Sequence, residues 1–379
     1  MLGFWLALTA MSASLRTGVW ITSRDLRTPE RTLEMIRFVQ QHGIQVVIPQ
    51  VVVGGYAYYP SRILPRSPYH REYPDFDPLQ MILDSLGDQV EVHAWINTLL
   101  YWSLDSPPED SQHVYYQHPD WFIRDDEGRS LHEYRGEDFR EQGIDGMFLD
   151  PTRPEVRDFV ASVYEEVASR YPVAYVHLDF VRYPGAGFGF TQDREAHLQE
   201  TGVDPLLIDE TARFTAPRWT TARTFDWIER WYRYHYSRWN ERRSQAIGQL
   251  VSLIQERIRP HGVKLSGAVF PNPGSAWYRL GQGWVEWARQ GSLDLPVPMA
   301  YTRYPTRYQR YLGYYTELLK DMPLYVGLGV WMKGAEHYVP KELQQVERTP
   351  LRTVIFFDFS HLAKNKGLVR RLQRMGVLR

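Results

Sequence analysis

Eight short apolar runs rich in β-branched residues recur along this chain with helical patterns between them, and that alternation limits the fold more than any single motif. The runs lie at residues 18–22, 44–53, 90–98, 173–181, 264–270, 295–301, 324–331 and 353–359, with helical spacing at 29–42, 78–86, 154–170, 225–259, 283–289, 308–321, 340–347 and 366–375. Strands alternating with helices build parallel βαβ units, and eight units predict a closed (β/α)8 TIM-type barrel. A doubly wound open sheet is the alternative, but the Gly-rich dinucleotide fingerprint that often follows its first strand is absent. Thr28-Pro29, Asp77-Pro78 and Arg153-Pro154 fit proline at the first position of a helix. A chain of 379 residues accommodates one large α/β domain. The expectation is a single barrel over residues 15–379, with long loops after strands three and four and a separate segment at 1–14.

Composition narrows the function classes. There are 44 basic and 45 acidic residues, giving a net charge of -1, so no global field favours nucleic acid. The chain has no cysteine, which removes disulfides, thiolate catalysis and Cys-ligated metals. Residues 2–11 form an apolar run followed by Ser12, Ala13 and Ser14, as in the core of a signal peptide, although no basic residue precedes it. That run is too short for stable membrane insertion. The expected location is the cell envelope or the exterior, with the cytoplasm as the alternative.

In a barrel of this kind the chemistry gathers at the C-terminal ends of the strands. The fourth run reads Tyr175-Val176-His177-Leu178-Asp179-Phe180-Val181-Arg182-Tyr183-Pro184. Alternation puts His177 and Asp179 on one face, and a carboxylate on the inner face of an apolar strand is costly unless it is paired or used. The other strand ends offer Asp25, Gln50, Trp95, Asn97, Asn272, Tyr301, Trp331 and Asp358. Trp95, Tyr301 and Trp331 are candidates for stacking on sugar rings, and Gln50, Asn97, Asn272, Arg182 and Tyr183 for hydrogen bonds to hydroxyls. Tyr56, Tyr58 and Tyr59 are placed as further aromatic surface. Asp125, Asp126 and Glu127 read as a solvated turn, and the Trp- and Arg-rich stretch 225–259 as a packed outer helix.

Several blocks along the chain are similar to a known family. Arg16-Thr17-Gly18-Val19-Trp20, Val92-His93-Ala94-Trp95-Ile96-Asn97, His118-Pro119-Asp120-Trp121, Phe148-Leu149-Asp150-Pro151, the His177 to Pro184 block and Pro298-Met299-Ala300-Tyr301-Thr302 together resemble the bacterial glycosyl-hydrolase-like family ten, a group of (β/α)8 proteins. The resemblance implies hydrolysis of glycosidic bonds in bacterial polysaccharides such as cell-wall glycans. It also marks departures. The loop Gln50-Val51-Val52-Val53-Gly54-Gly55-Tyr56 lacks an Arg and an Asp found in similar sequences, Asn272 stands where an acid is expected, and Asp358 where Ser is more usual.

Glycoside hydrolysis needs one carboxyl to donate a proton and another to act ionised, their separation setting the stereochemical course. The sequence assigns Asp179 the ionised role, with His177 orienting it or touching a sugar, and Asp358 the protonated role, with Asp25 in reserve. No cofactor and no metal are expected. Two other classes stay open: a non-catalytic glycan-binding protein on the same scaffold, and a metal-dependent hydrolase using His93, His177 and Asp179, which lack helical zinc-ligand spacing.

Overall fold

The computed structural model describes residues 15–190, 198–199, 223–320 and 322–379, and for 223–237 the backbone only. Residues 1–14, the side chains of Trp227, Trp231 and Tyr234, and most of the loop after the fourth strand lie outside the described residues. The eight runs form parallel strands β1 (Arg16–Ile21), β2 (Val46–Val53), β3 (Glu91–Asn97), β4 (Tyr175–Asp179), β5 (Lys264–Val269), β6 (Leu295–Pro298), β7 (Val326–Gly329) and β8 (Thr353–Phe357). Each pairs with its chain neighbour except at β6–β7, and β8 pairs back onto β1.

The weak seam has a chemical cause. Pro296 and Pro298 have no N–H, and by the two-residue period of a strand both missing donors face β7. A backbone bond from Tyr325 N–H to the Pro296 carbonyl, 3.2 Å, joins the two strands there. The result is the expected (β/α)8 barrel, nearly closed.

Outside it run α1 (Pro29–His42), α2 (Pro78–Leu86), α3 (Pro154–Arg170), α4 (Arg223–Ile258), α5 (Trp284–Arg289), α6 (Pro305–Leu318), α7 (Ala335–Glu347) and α8 (Lys366–Arg374). Local chemistry sets their ends. Thr28 and Asp77 accept from the backbone N–H groups of Arg31 and Gln80, and Gly43 closes α1 in the left-handed conformation. α7 begins at Ala335 and runs through Pro340, where the sequence placed its start. In α4, Trp239 is buried and stacks on Phe190 with ring centroids 4.4 Å apart.

Most of the core lies between barrel and helices, and a second cluster fills the barrel itself: Trp20, Val46, Ile48, Trp95, Leu295, Val297 and Ile355. Gly18 is required in that interior. A Cβ there would lie 2.7 Å from the Cβ of Val46.

The excursions after β3 and β4 are knitted together at one end of the barrel. Leu100–Trp102 pairs with Met147–Phe148, and Arg124–Asp125 pairs with Phe188–Phe190. Two sequence expectations fail here. Tyr56, Tyr58 and Tyr59 are buried and not an aromatic surface, Tyr59 donating to Glu166 at 2.9 Å. Asp125 is a buried hub that accepts from Tyr134 Oη at 2.7 Å and from the Glu127 and Arg129 N–H groups, so the turn is not simply solvated.

Candidate active site

β4 ends at Asp179, and the chain turns there through Phe180, whose φ of 51° is left-handed. A bulky residue adopts that conformation at a cost of about 1–3 kcal/mol, so the surroundings must hold it. The turn brings Phe180 N–H onto Asp179 Oδ1 at 2.7 Å. The carboxyl is half-buried at the end of the barrel interior. Burial pushes its pKa up to about 6, against the Phe180 N–H, Arg182 and Trp95, with Asp145 adding a smaller push upward. The Trp95 indole N–H is buried without a partner at hydrogen-bonding distance, yet acts on this carboxylate electrostatically.

Arg182 approaches from the same turn. Its guanidinium pairs with Asp145 at 2.6 Å and lies 5.1 to 5.4 Å from the centroids of Phe148, Phe180 and Phe270. Cation–π contact and the ion pair hold it beside Asp179. Asp145 is not among the residues that the sequence pattern marks. It lies in the loop after β3, away from any strand end, and no local pattern marks it.

His177 is not a partner of Asp179, as the sequence had it. The ring is fully buried, Trp20 Nε1–H donates to its Nε2 at 3.3 Å, and its Nδ1 lies 2.9 Å from Ser266 Oγ. Because Nε2 accepts, Nδ1 carries the proton and donates to Ser266. The serine hydroxyl then donates to His93 Nδ1, also at 2.9 Å, which leaves the His93 proton on Nε2, 2.8 Å from Glu91 Oε1. Arg16 and Tyr325 complete the coordination of Glu91. One directional chain of hydrogen bonds therefore crosses the barrel interior, with both imidazoles neutral. Burial, reinforced by His93, drives the His177 pKa well below its ordinary value. Burial alone would raise Glu91, but His93, Arg16 and Tyr325 outweigh it and bring its pKa down to about 2. His93 and His177 both spend Nδ1 on Ser266, so they do not converge with Asp179 into the metal site weighed from sequence.

Asp358 and Asn272 are also largely committed. Asp358 starts the helix Phe359–Lys364, its Oδ1 accepting from His361 N–H at 3.0 Å and lying 2.9 Å from His361 Nδ1. The apolar setting expected for a proton donor is not what surrounds it. Asn272 caps the helix Pro273–Leu280 by accepting from Ser275 N–H at 2.8 Å. Asp25 is buried, accepts from Ser360 Oγ at 2.7 Å and Thr22 Oγ1 at 3.2 Å, and has a raised pKa, chiefly from burial with a contribution from Asp358.

The remaining candidates divide between floor, rim and core. Gln50 Nε2 donates to Asn97 Oδ1 at 3.1 Å while its carbonyl accepts from Ser23 N–H, and Asn97 lies opposite Asp179 in the β3–β4 register. Trp95 is 3% exposed and belongs to the floor, not to a stacking platform. Tyr301 is half-buried with its hydroxyl unpartnered, and the charges of both Asp179 and Asp358 reach it. Trp331 is 41% exposed and stands edge-on to Tyr301 at 4.8 Å and Phe357 at 5.4 Å. It is the one expected aromatic with an open face. Tyr183 is fully buried beneath the Arg243 guanidinium, which lies 4.4 Å from its ring centroid, so it is core and not a substrate contact.

The sequence pattern of the family described as glycosyl hydrolase-like 10 matches residues 14–335. The glycosyl hydrolase DigH of Escherichia coli (strain K12) is 26% identical over 339 residues, covering 83% of this chain and 68% of that protein. The glycosyl hydrolase YngK of Bacillus subtilis (strain 168) is 24% identical over 331 residues, covering 82% and 57%. Among solved structures, the PgaB (BpsB) glycoside hydrolase domain from Bordetella bronchiseptica aligns with a TM-score of 0.66 at 13% identity, over 95% of this chain and 98% of that one. The catalytic domain of beta-amylase from Paenibacillus polymyxa aligns with a TM-score of 0.57 at 10% identity, over 96% and 99%. At these identities the structural likeness concerns the barrel.

Proposed function

The chain belongs to the glycosyl hydrolase-like 10 family, and from that premise we propose that it is a glycoside hydrolase acting on a bacterial polysaccharide, of the peptidoglycan type or another amino-sugar glycan. One observation carries the reading: a strand-end carboxyl, Asp179, with a pKa near 6, one oxygen fixed by a strained backbone turn and Arg182 alongside. A proton held that tightly suits the donor to a leaving glycosidic oxygen. This reverses the assignment made from sequence, in which Asp179 was the ionised group.

Asp179 gives its proton to the glycosidic oxygen as the C–O bond breaks. Asp358, from the strand on the opposite side of the barrel, is the candidate to assist attack at the sugar carbon through the oxygen its helix cap leaves over. Water supplies the atoms that complete the hydrolysis. Trp331 offers a face to a sugar ring, and the Gln50–Asn97 pair lines the β2–β3 side. We place the protein in the envelope or outside the cell; no described helix is long and apolar enough to cross a membrane.

The experiment is incubation with peptidoglycan, chitin oligomers and deacetylated chitosan, with assay of new reducing ends. Cleavage that disappears in Asp179→Asn while circular dichroism is unchanged supports the reading, and full activity in that variant removes Asp179 from it. A second reading, a glycan-binding protein without catalysis, draws on the use of Asp358 and Asn272 as helix caps. It predicts retention on the polymer and no new reducing ends.

A further inference from the structure

The eighth strand is followed by a surface of one charge sign. Residues 359–379 contain no Asp or Glu and six cations, Lys364, Lys366, Arg370, Arg371, Arg374 and Arg379, although the whole chain carries a net charge of -1. All six are exposed. Four of them stand on α8, whose apolar side, Leu368, Val369 and Leu372, is buried in the core. Lys366, Arg370 and Arg374 follow at i, i+4 and i+8 on the outward side, in one row about 12 Å long, with Arg371 next to it.

This arrangement does not favour the free helix. Like charges four residues apart repel, and Lys366 in the first turn meets the positive end of the helix dipole. A face that served solubility alone would intersperse acids among the bases. Here none answers. Among the described residues none of the six cations pairs with a carboxylate: Glu336 on the adjacent α7 gives Arg371 only its backbone carbonyl, at 3.1 Å, while its carboxylate pairs with His337 at 3.4 Å. Arg374 turns back onto the Arg370 carbonyl at 3.4 Å.

Shape selects among anionic partners. Single-stranded nucleic acid is held by stacking on aromatic rings, and duplex DNA by an element that enters a groove. The one Phe, Tyr or Trp of this segment, Phe359, is buried, and α8 lies flat against α7 on the outside of the barrel. A plane of anionic headgroups, by contrast, meets an outward row of long basic side chains all at once, and clusters of four to eight Lys and Arg on an amphipathic helix suit its field.

We propose that this flank is a docking surface for a membrane rich in anionic phospholipid, on which the protein adsorbs without inserting. The apolar side of α8 is taken up by the core, so the attraction is electrostatic. Barrel helices run back beside the strands, so the row lies along the barrel and the mouth at Asp179 stays open to the side. Nothing in this depends on cleavage of a glycan.

The test is cosedimentation of the full chain with phosphatidylglycerol vesicles and with phosphatidylcholine vesicles, in low salt and in about 0.5 M salt, where exposed charges are screened. Duplex and single-stranded oligonucleotides at equal phosphate serve as competitors. The protein is expected to bind phosphatidylglycerol vesicles only, to prefer them to either oligonucleotide and to be released by salt. One cation near such a surface strengthens adsorption about fivefold, so Lys366→Gln, Arg370→Gln and Arg374→Gln together should weaken it about a hundredfold with circular dichroism unchanged. Arg370→Gln alone, with a loss of about fivefold, carries the test where the triple variant does not fold. Neutralising Lys264, Arg289 and Lys320, exposed on the β5 to β7 side, changes net charge equally and should leave adsorption nearly intact. Equal binding to both kinds of vesicle, binding to neither, or equal losses in the two triple variants would overturn the proposal. So would tighter binding of an oligonucleotide, which would make the flank a nucleic-acid surface.

Discussion

Trp20 on β1 donates its indole N–H to Nε2 of His177 on β4, across the barrel interior, at 3.3 Å. That single bond sets the tautomer of His177 and, through Ser266, of His93. It also places the Trp20 ring edge-on to Tyr301 and Phe357, each about 6 Å away, so the aromatic floor below Trp331 depends on a polar chain behind it.

Ser266 is the shared link, and its removal strands both imidazoles at once. Ser266→Ala leaves the His177 Nδ1–H without an acceptor and the His93 lone pair without a donor, in a region with no solvent access. The expected loss is about 1–3 kcal/mol of unfolding free energy. Urea denaturation of the variant against the parent chain measures it, and a loss within error would mean that the chain of bonds contributes nothing net.

Glu342 predicts the opposite sign. Both of its carboxyl oxygens are buried on α7 without partners, its charge reaches Tyr308 of α6, and burial pushes its pKa up to about 9 from an ordinary 4.5. A carboxyl whose folded pKa is raised contributes stability below its unfolded pKa and loses it as pH rises through the folded value. Between pH 4.5 and about 9 this residue therefore makes stability fall with rising pH. Glu342→Met should flatten that slope and stabilise the protein at pH 8 by on the order of 1–2 kcal/mol. Thermal melts of both proteins across that range test it, and a steeper slope in the variant would contradict the assignment.

The barrel was legible in sequence because its signals are local and repeated: apolar runs of strand length, prolines at helix starts and cap residues before them. Asp179 was legible for the same reason, as an acid at a strand end. What His177 does was not, because its partners Trp20 and Ser266 sit on strands far away in the chain, and a period-two pattern gives a side chain's face but not its neighbour. Asp358 and Asn272 carried a signal that was read too narrowly. Asn272 precedes Pro273 as Asp77 precedes Pro78, so the rule that identified one cap would have identified the other. The Asp145–Arg182 pair had no signal at all, since it joins two loops.

Trp331 tests whether the rim meets a sugar. Its ring folds back over Gly329, where an added Cβ would come within 2.6 Å of Trp331 Cζ3, and it keeps 41% of its surface open. Truncation removes the open stacking face and also the contacts with Tyr301 and Phe357. Trp331→Ala should weaken glycan binding about tenfold, with a drop in melting temperature from the lost Tyr301 and Phe357 contacts that leaves the protein folded at the assay temperature. Retention on immobilised glycan and differential scanning calorimetry read the two quantities, and unchanged retention would take Trp331 out of the binding surface.

The pH dependence of Asp179 separates its two candidate roles. Burial raises its pKa from 3.8 to about 6, so the folded protein binds this proton more tightly than the unfolded chain does. Its contribution to stability is complete below pH 3.8 and is lost as pH rises through about 6. Asp179→Asn, which cannot ionise, should remove that slope and stabilise the protein at pH 7 by at most about 2–3 kcal/mol. A proton donor also has to be protonated to work, so kcat/KM on a cleavable glycan should fall above pH 6. If Asp179 were the ionised group, the same residue would produce a rise through pH 6. The pH profile of any cleavage by the wild-type protein, set beside the stability curve of Asp179→Asn, therefore fixes both the pKa and the direction in which the proton moves.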